Sequence, residues 1–289
     1  MNRILFEKDE IKDGVATFGG ERAAHVLDVL HGEVGQILKT GEINGPIGTS
    51  VIKSIRGAGE TQHSSDRFAA ASPVHNPPQI LDASRGGAVP AAQIEITASI
   101  SHENESLKPW VDLILAPPRP RVMKRLLPQL ATMGVGRIFL VGARKVEKDF
   151  WGATLLKPEN YRPLLIDGLM QAGTSILPSL ETRRNFRKFV REELDGLWPE
   201  SRRIVAHPYT VPSASSPTGA DTDRLSSAGR RDGDGTVLAI GPEGGWTDEE
   251  VALLEDHGFM RYSLGARILR TDTATIALLA QLMKEFGQC

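Results

Sequence analysis

VDLILAPPRPRVMKRLLPQLATMGVGRIFLVGA, residues 111–143, reads as strand, helix, strand. VDLILA is an apolar run of the length of a buried strand. PRPRVMKRLLPQLATMG opens with prolines, which suit a helix start, and ends at a glycine. RIFLVGA is the next strand. A strand, a helix and a strand in succession make a βαβ unit, whose strands pair in parallel.

The same alternation continues toward the C-terminus. Helices are expected over Pro158–Ala172 and Arg184–Trp198. SRRIVAHP (201–208) and TVLAIGPEGG (236–245) read as strands, with a polar, low-complexity insertion between them at about 211–235. A helix over Thr247–His257, a short strand MRYSLG, a loop ARILRTD and a final apolar helix TATIALLAQLMKEF complete the chain. Toward the N-terminus the pattern changes. RILF, HVLDVL, VGQILKTG, GTSVIKSI and, at 92–100, AQIEITASI are strand-length runs separated by glycine-rich breaks. Residues 57–90 between them read as a flexible insertion in a β-hairpin. The expected division is a β-rich domain at 1–105 and an α/β domain at 106–289.

Bulk composition narrows the function classes. The 289 residues carry a formal net charge of -2, so any surface for nucleic acid must be a local patch. The single cysteine, Cys289, excludes a disulfide framework or a cysteine-based metal site, and the histidines lack metal-ligand spacing. No apolar run approaches the roughly 18–20 residues of a membrane span. The N-terminus lacks the core of a signal peptide. The expectation is a soluble, cytoplasmic protein, or a nuclear or organellar one if eukaryotic, with no metal and no membrane partner.

Two loops carry the chemistry. LAIGPEGGWTDEE (238–250) passes from strand through glycines to a helix whose Thr247 and Glu250 fit a capping box. It is not a phosphate cradle: it lacks the Walker lysine, Pro242 removes a donor, and Glu243 would repel phosphate. YSLGARILRTDTATIALL (262–279) leaves a strand at Leu264 and enters a helix with Thr271 or Asp272 as the expected cap. Loops at the carboxyl ends of parallel strands form a ligand crevice, and the two together suit an adenine-like ligand. A carboxylate there tolerates a cationic ligand. Between Arg119 and Lys148 eight basic residues face a single acid, Glu147. Arg119, Arg121, Lys124, Arg125, Arg144 and Lys145 are the candidate contacts to an RNA backbone. RRNFRKFVR (183–191) adds basic residues interleaved with phenylalanines.

"IGPEGG" (240–245), "LGARILRTDTA" (264–274), "HP" (207–208) and "MGV" (133–135) together resemble the ribosomal RNA small subunit methyltransferase E family. These are uridine-N3 methyltransferases of the SPOUT superfamily. HVLDVLHGEVGQ (25–36) is similar to that family's PUA-like RNA-binding domain. The resemblance implies a trefoil-knotted parallel sheet with helices on both faces, preceded by a small PUA-like β-barrel. It implies S-adenosyl-L-methionine as cofactor, ribosomal RNA of the small subunit as partner, and a homodimer. Residue by residue, the cofactor would be held by His207, Ile240, Gly241, Pro242, Glu243, Gly244, Leu264, Gly265, Arg267, Ile268, Leu269 and Arg270. Arg270 is the expected electrostatic catalyst, with Glu243 or Asp272 as base or orienter. The sequence departs from the family at Gln129 and Thr132, and at Asp28 and His31. These departures leave room for a relative acting on a ribose 2′-oxygen or a tRNA base, or for a non-catalytic RNA-binding assembly factor.

Overall fold

The computed structural model describes residues 3–56, 95–208 and 235–285. The insertions expected at about 57–90 and 211–235 lie outside the described residues apart from Gly235, as does Cys289. Two compact units emerge: one comprises residues 6–42 and 46–104, the other residues 1–5, 43–45 and 105–289.

The first unit is built on a six-stranded sheet. Its strands are β1 (Ile4–Phe6, of which Phe6 belongs to this unit), β2 (Ile11–Lys12), β3 (Val15–Phe18), β4 (Ile37–Glu42), β5 (Ile47–Arg56) and β6 (Glu95–Asn104), in the order β1-β4-β5-β6-β3-β2. β2–β3, β3–β6, β4–β5 and β5–β6 all pair antiparallel. HVLDVL is not a strand. Helix α1 (Gly20–Ala24) runs into a π-helical turn over His25–Val29. Ala23 and Val26 are both fully buried, three residues apart, which is a helical spacing on one face. Length alone had made this run look like a strand.

The second unit is an α/β layer structure. Its strands are β7 (Val111–Leu115), β8 (Val135–Val141), β9 (Ser179–Arg183), β10 (Arg202–Ala206), β11 (Thr236–Ile240) and β12 (Met260–Tyr262). They lie in the order β12-β10-β11-β7-β8-β9, and every ladder is parallel. Its helices are α2 (Pro120–Thr132), α3 (Pro158–Ala172), α4 (Phe186–Glu192), α5 (Leu194–Leu197), α6 (Asp248–Asp256) and α7 (Thr271–Glu285).

Strand alternation sorts the core onto two faces. Leu113, Leu115, Ile138, Leu140, Leu238 and Ile240 join α2, α3 and α7 in one cluster. Ile114, Phe139, Val141, Val237 and Ala239 join α4, α5 and α6 in the other. Helices therefore cover both faces, which is why the central strands read as continuous apolar runs.

Three local expectations change. The helix expected over Arg184–Trp198 is two helices, with Asn185 capping the first through the Lys188 N–H. Its Phe186 and Phe189, interleaved with the basic residues, are buried in the core. β9 was not foreseen, because a polar edge strand, SLETR, has no apolar run to mark it. α7 starts at Thr271, so Thr271 and Asp272 lie inside its first turn instead of capping it. The MGV glycine, Gly134, has φ +77°, and an added Cβ would approach the Trp110 ring to 2.9 Å. The left-handed backbone and the close indole both require glycine there.

Candidate active site

The chain runs outward from the central β7 through β8 to β9, then returns to place β11 and β10 on the other side. At such a reversal the loops beyond the strand carboxyl ends splay apart and leave a crevice. A cavity of about 370 Å³ opens on the β11 side of this reversal, beyond β10, β11 and β12 and against the first turns of α7.

The loop after β11 forms its floor. An added Cβ at Gly241 would come within 3.0 Å of the Trp246 nitrogen and 3.1 Å of its ring, so the backbone runs tightly under the indole. Gly245 donates to the Pro242 carbonyl at 2.8 Å and takes φ +70°, which closes the turn. Trp246 is buried, 5.1 Å from the Phe186 ring. Thr247 then caps α6. Its hydroxyl accepts from the Glu250 N–H, and the Glu250 carboxylate accepts from the Thr247 N–H at 2.9 Å. The capping box expected from the sequence is in place. The same carboxylate, 5% exposed, also accepts from the Arg144 N–H at 2.7 Å. That bond ties the loop after β8 to the α6 start.

The loop after β12 forms the outer wall. Gly265, at φ +116°, turns the chain, and residues 264–270 are all exposed. Ile268 is 89% exposed, an apolar side chain left uncovered at the cavity mouth.

Two buried polar atoms have no hydrogen-bond partner among the described residues and belong to residues lining this cavity: Trp246 Nε1 and His207 Nδ1. Native proteins seldom leave such groups unpaired, and a ligand is one way to satisfy them. Burial first, then the positive charge of Arg261, holds the His207 imidazole below its ordinary pKa of 6.5. The neutral ring is therefore the form present at pH 7.

Of the residues proposed for the cofactor, His207, Ile240, Gly241, Pro242, Glu243, Gly244, Leu264, Gly265, Arg267, Ile268 and Leu269 line the cavity. Arg270 does not line it, although its carbonyl accepts from the Ala274 N–H. Asp272 does not line it either. Its carboxylate accepts from the Thr273 N–H and pairs with Arg125 at 3.4 Å. Sequence reading missed Trp246, Tyr262, Thr271 and Leu278 as lining residues. Trp246 follows directly on the glycine loop and was the one most open to discovery.

The six candidate RNA contacts, Arg119, Arg121, Lys124, Arg125, Arg144 and Lys145, are all exposed. Several of them touch the crevice. Arg119 Nε lies 3.1 Å from Glu147 and 3.6 Å from Glu243. Lys145 donates to the Gly244 carbonyl at 2.8 Å. Arg137, from the same basic stretch, instead pairs with Asp112 at 2.7 Å and covers the Trp198 ring. A second, smaller cavity of about 40 Å³ lies between Pro117–Pro120 and Lys145–Glu147, and it shares Pro242 and Glu243 with the first. Among the described residues no group of histidine, cysteine and acidic side chains has the makings of a metal site. Nor is any described helix long and apolar enough to cross a membrane.

Residues 105–283 match the family model described as RNA methyltransferase domain. A ribosomal RNA small subunit methyltransferase E from Treponema pallidum is 28% identical over 287 residues, 98% of this chain and 91% of that relative. A methyltransferase from Legionella pneumophila, solved with bound SAM, superposes with a TM-score of 0.65 at 24% identity, covering 98% of this chain and 96% of its own. A ribosomal RNA small subunit methyltransferase E from Neisseria gonorrhoeae, solved with S-adenosyl methionine, gives 0.63 at 17% identity, with 98% and 97% covered.

Proposed function

The chain belongs to the RNA methyltransferase family, and from that premise we propose that it transfers a methyl group from S-adenosyl-L-methionine to RNA. The acceptor we propose is N3 of a uridine in small-subunit ribosomal RNA, the class of RNA named by the Treponema pallidum relative. The observation that carries the reading is the cavity formed by the IGPEGG and LGARIL loops at the carboxyl ends of β10, β11 and β12.

The residues fit the cofactor. Ile240, Leu264 and Leu278 offer apolar walls to an adenine ring. Trp246 Nε1–H, a donor, and His207 Nδ1 have no partners among the described residues. Glu243 places a carboxylate at the rim, where a sulfonium and an ammonium are favoured and a phosphate is not. S-adenosyl-L-methionine supplies an electrophilic methyl group when bound. This chain contributes by holding the acceptor base close and in line, which removes an entropic barrier. It also receives the N3 proton. Glu243, which lines both cavities, is the residue we assign to that proton or to its orientation. Arg270 lies outside the lining, so its electrostatic role requires the loop after β12 to close over the acceptor.

Three finer features complete the proposal: a trefoil knot at the crevice loops, a PUA-like barrel in the first unit, and a homodimer. The exposed Ile268, Leu264 and Leu269 supply apolar surface for a second copy. A cytoplasmic location and a domain boundary near residue 105 belong to the same reading.

The test is calorimetry with S-adenosyl-L-methionine, followed by mass spectrometry of ribosomal RNA from cells lacking the protein. Binding, and loss of one 3-methyluridine, is the expected result. Loss of a ribose or tRNA methyl group would move the acceptor elsewhere. No binding to the folded protein would leave an assembly factor.

A further inference from the structure

The candidate RNA-binding cations do not stand apart from the crevice. Arg119 sits between Glu147, its nearer partner at 3.1 Å, and Glu243 of the IGPEGG loop at 3.6 Å, and Lys145 donates to Gly244 of the same loop. Arg125 faces Asp272, in the first turn of the helix that follows the second loop. The Arg144 backbone is held by Glu250, which caps the helix leaving the first loop. Glu243 and Asp272 thus stand where an RNA phosphate oxygen would stand. The ion pairs are weakly held. Arg119, Arg125 and Glu243 expose 65%, 64% and 43% of their side chains, Asp272 exposes 24%, and the separations are 3.6 and 3.4 Å. Exposed pairs of this kind exchange readily for a better-placed anion.

We propose that Glu243 and Asp272 are internal counter-ions that RNA phosphates displace, so that RNA binding is thermodynamically coupled to occupation of the crevice. The inference rests on the reading of the crevice as the S-adenosyl-L-methionine site. When a phosphate takes Arg119 from Glu147 and Glu243, the Glu243 carboxylate loses that cation and presents more negative charge to the cavity it lines. A ligand bearing a sulfonium gains from that charge. The neutral thioether of S-adenosylhomocysteine gains less. Coupling of this kind is reciprocal, so the methyl donor also tightens RNA binding by the same factor. RNA arrival then favours the charged donor over the spent product at the moment transfer becomes possible.

The experiment is titration of the intact protein with S-adenosyl-L-methionine and with S-adenosylhomocysteine, with and without saturating oligouridylate, at low ionic strength. In the wild-type protein oligouridylate tightens the donor about two- to five-fold, the range expected for one exposed ion pair, and tightens the product less. Glu243→Gln removes the charge and abolishes the difference. Arg119→Gln permanently removes the cation that faces Glu243. It binds the donor without RNA as tightly as the wild type does with RNA, a gain that a misfolded variant cannot mimic. Glu159→Gln, an equal change of charge on an exposed residue of α3, leaves the coupling intact and controls for net charge. Equal coupling in the wild type and Glu243→Gln, or no gain in Arg119→Gln, overturns the inference while leaving the cofactor site standing. Failure of the wild-type protein to bind the donor at all takes down both.

Discussion

Replacing Glu250 with alanine tests how the crevice is built. Its carboxylate is buried and accepts three hydrogen bonds: from the Thr247 N–H at 2.9 Å, the Thr247 hydroxyl at 3.1 Å and the Arg144 N–H at 2.7 Å. Loss of the capping box costs about 1 kcal/mol. Leaving the Arg144 N–H without its partner in a partly buried site adds about 1–3 kcal/mol. The expected loss is therefore about 2–4 kcal/mol for Glu250→Ala. Thr247→Ala, which keeps the bonds from both backbone N–H groups, should lose only about 1 kcal/mol. Urea unfolding followed by tryptophan fluorescence suits the measurement, because the buried Trp246 adjoins Thr247. Equal losses in the two variants would show that the Arg144 bond carries no stability, and the reasoning would fail.

Other outcomes follow from the same geometry. An added Cβ at Gly168 would sit 2.1 Å from the Pro128 carbonyl oxygen where α3 crosses α2. Gly168→Ala should thus lower stability by about 1–3 kcal/mol or more, and an unchanged melting temperature would contradict the close crossing. Burial holds His207 neutral, with its pKa below the 6.5 of an exposed imidazole. The unfolded chain then binds more protons as pH falls below 6.5, so this contribution is complete above that pH and is lost as pH drops through the lowered folded value. His207→Gln should flatten the pH dependence of the melting temperature in that window, and an unaltered profile would refute it. Trp246→Phe keeps the contact with Phe186 but deletes the unpartnered Nε1–H. Donor affinity measured by calorimetry should fall while the melting temperature holds. An unchanged affinity would mean that this donor does not meet the ligand.

Much of the α/β unit was legible because its signals are local. Continuous apolar runs marked β7, β8 and β11, and the Thr247–Glu250 spacing marked the start of α6. The run HVLDVL was misread because strand and helix share a length there, and only burial of Ala23 with Val26 separates them. β9 escaped because an edge strand needs no apolar pattern. Of the basic residues, Arg137 could not be told from its neighbours by charge. Asp112 and Trp198 had to be brought alongside it first.

The sequence by itself determined the alternation of strands and helices, the two glycine loops and the clustering of basic residues, because each is written in the spacing of adjacent side chains. Tertiary structure decided what those features face. Strand order brings residues 206–208, 240–246, 262–265 and 267–269 around one cavity. It also sets Arg119 against Glu243 and Arg125 against Asp272, pairs separated by more than a hundred positions. No local pattern can encode such meetings, since they depend on which strand inserts beside β7 and on which face each helix covers.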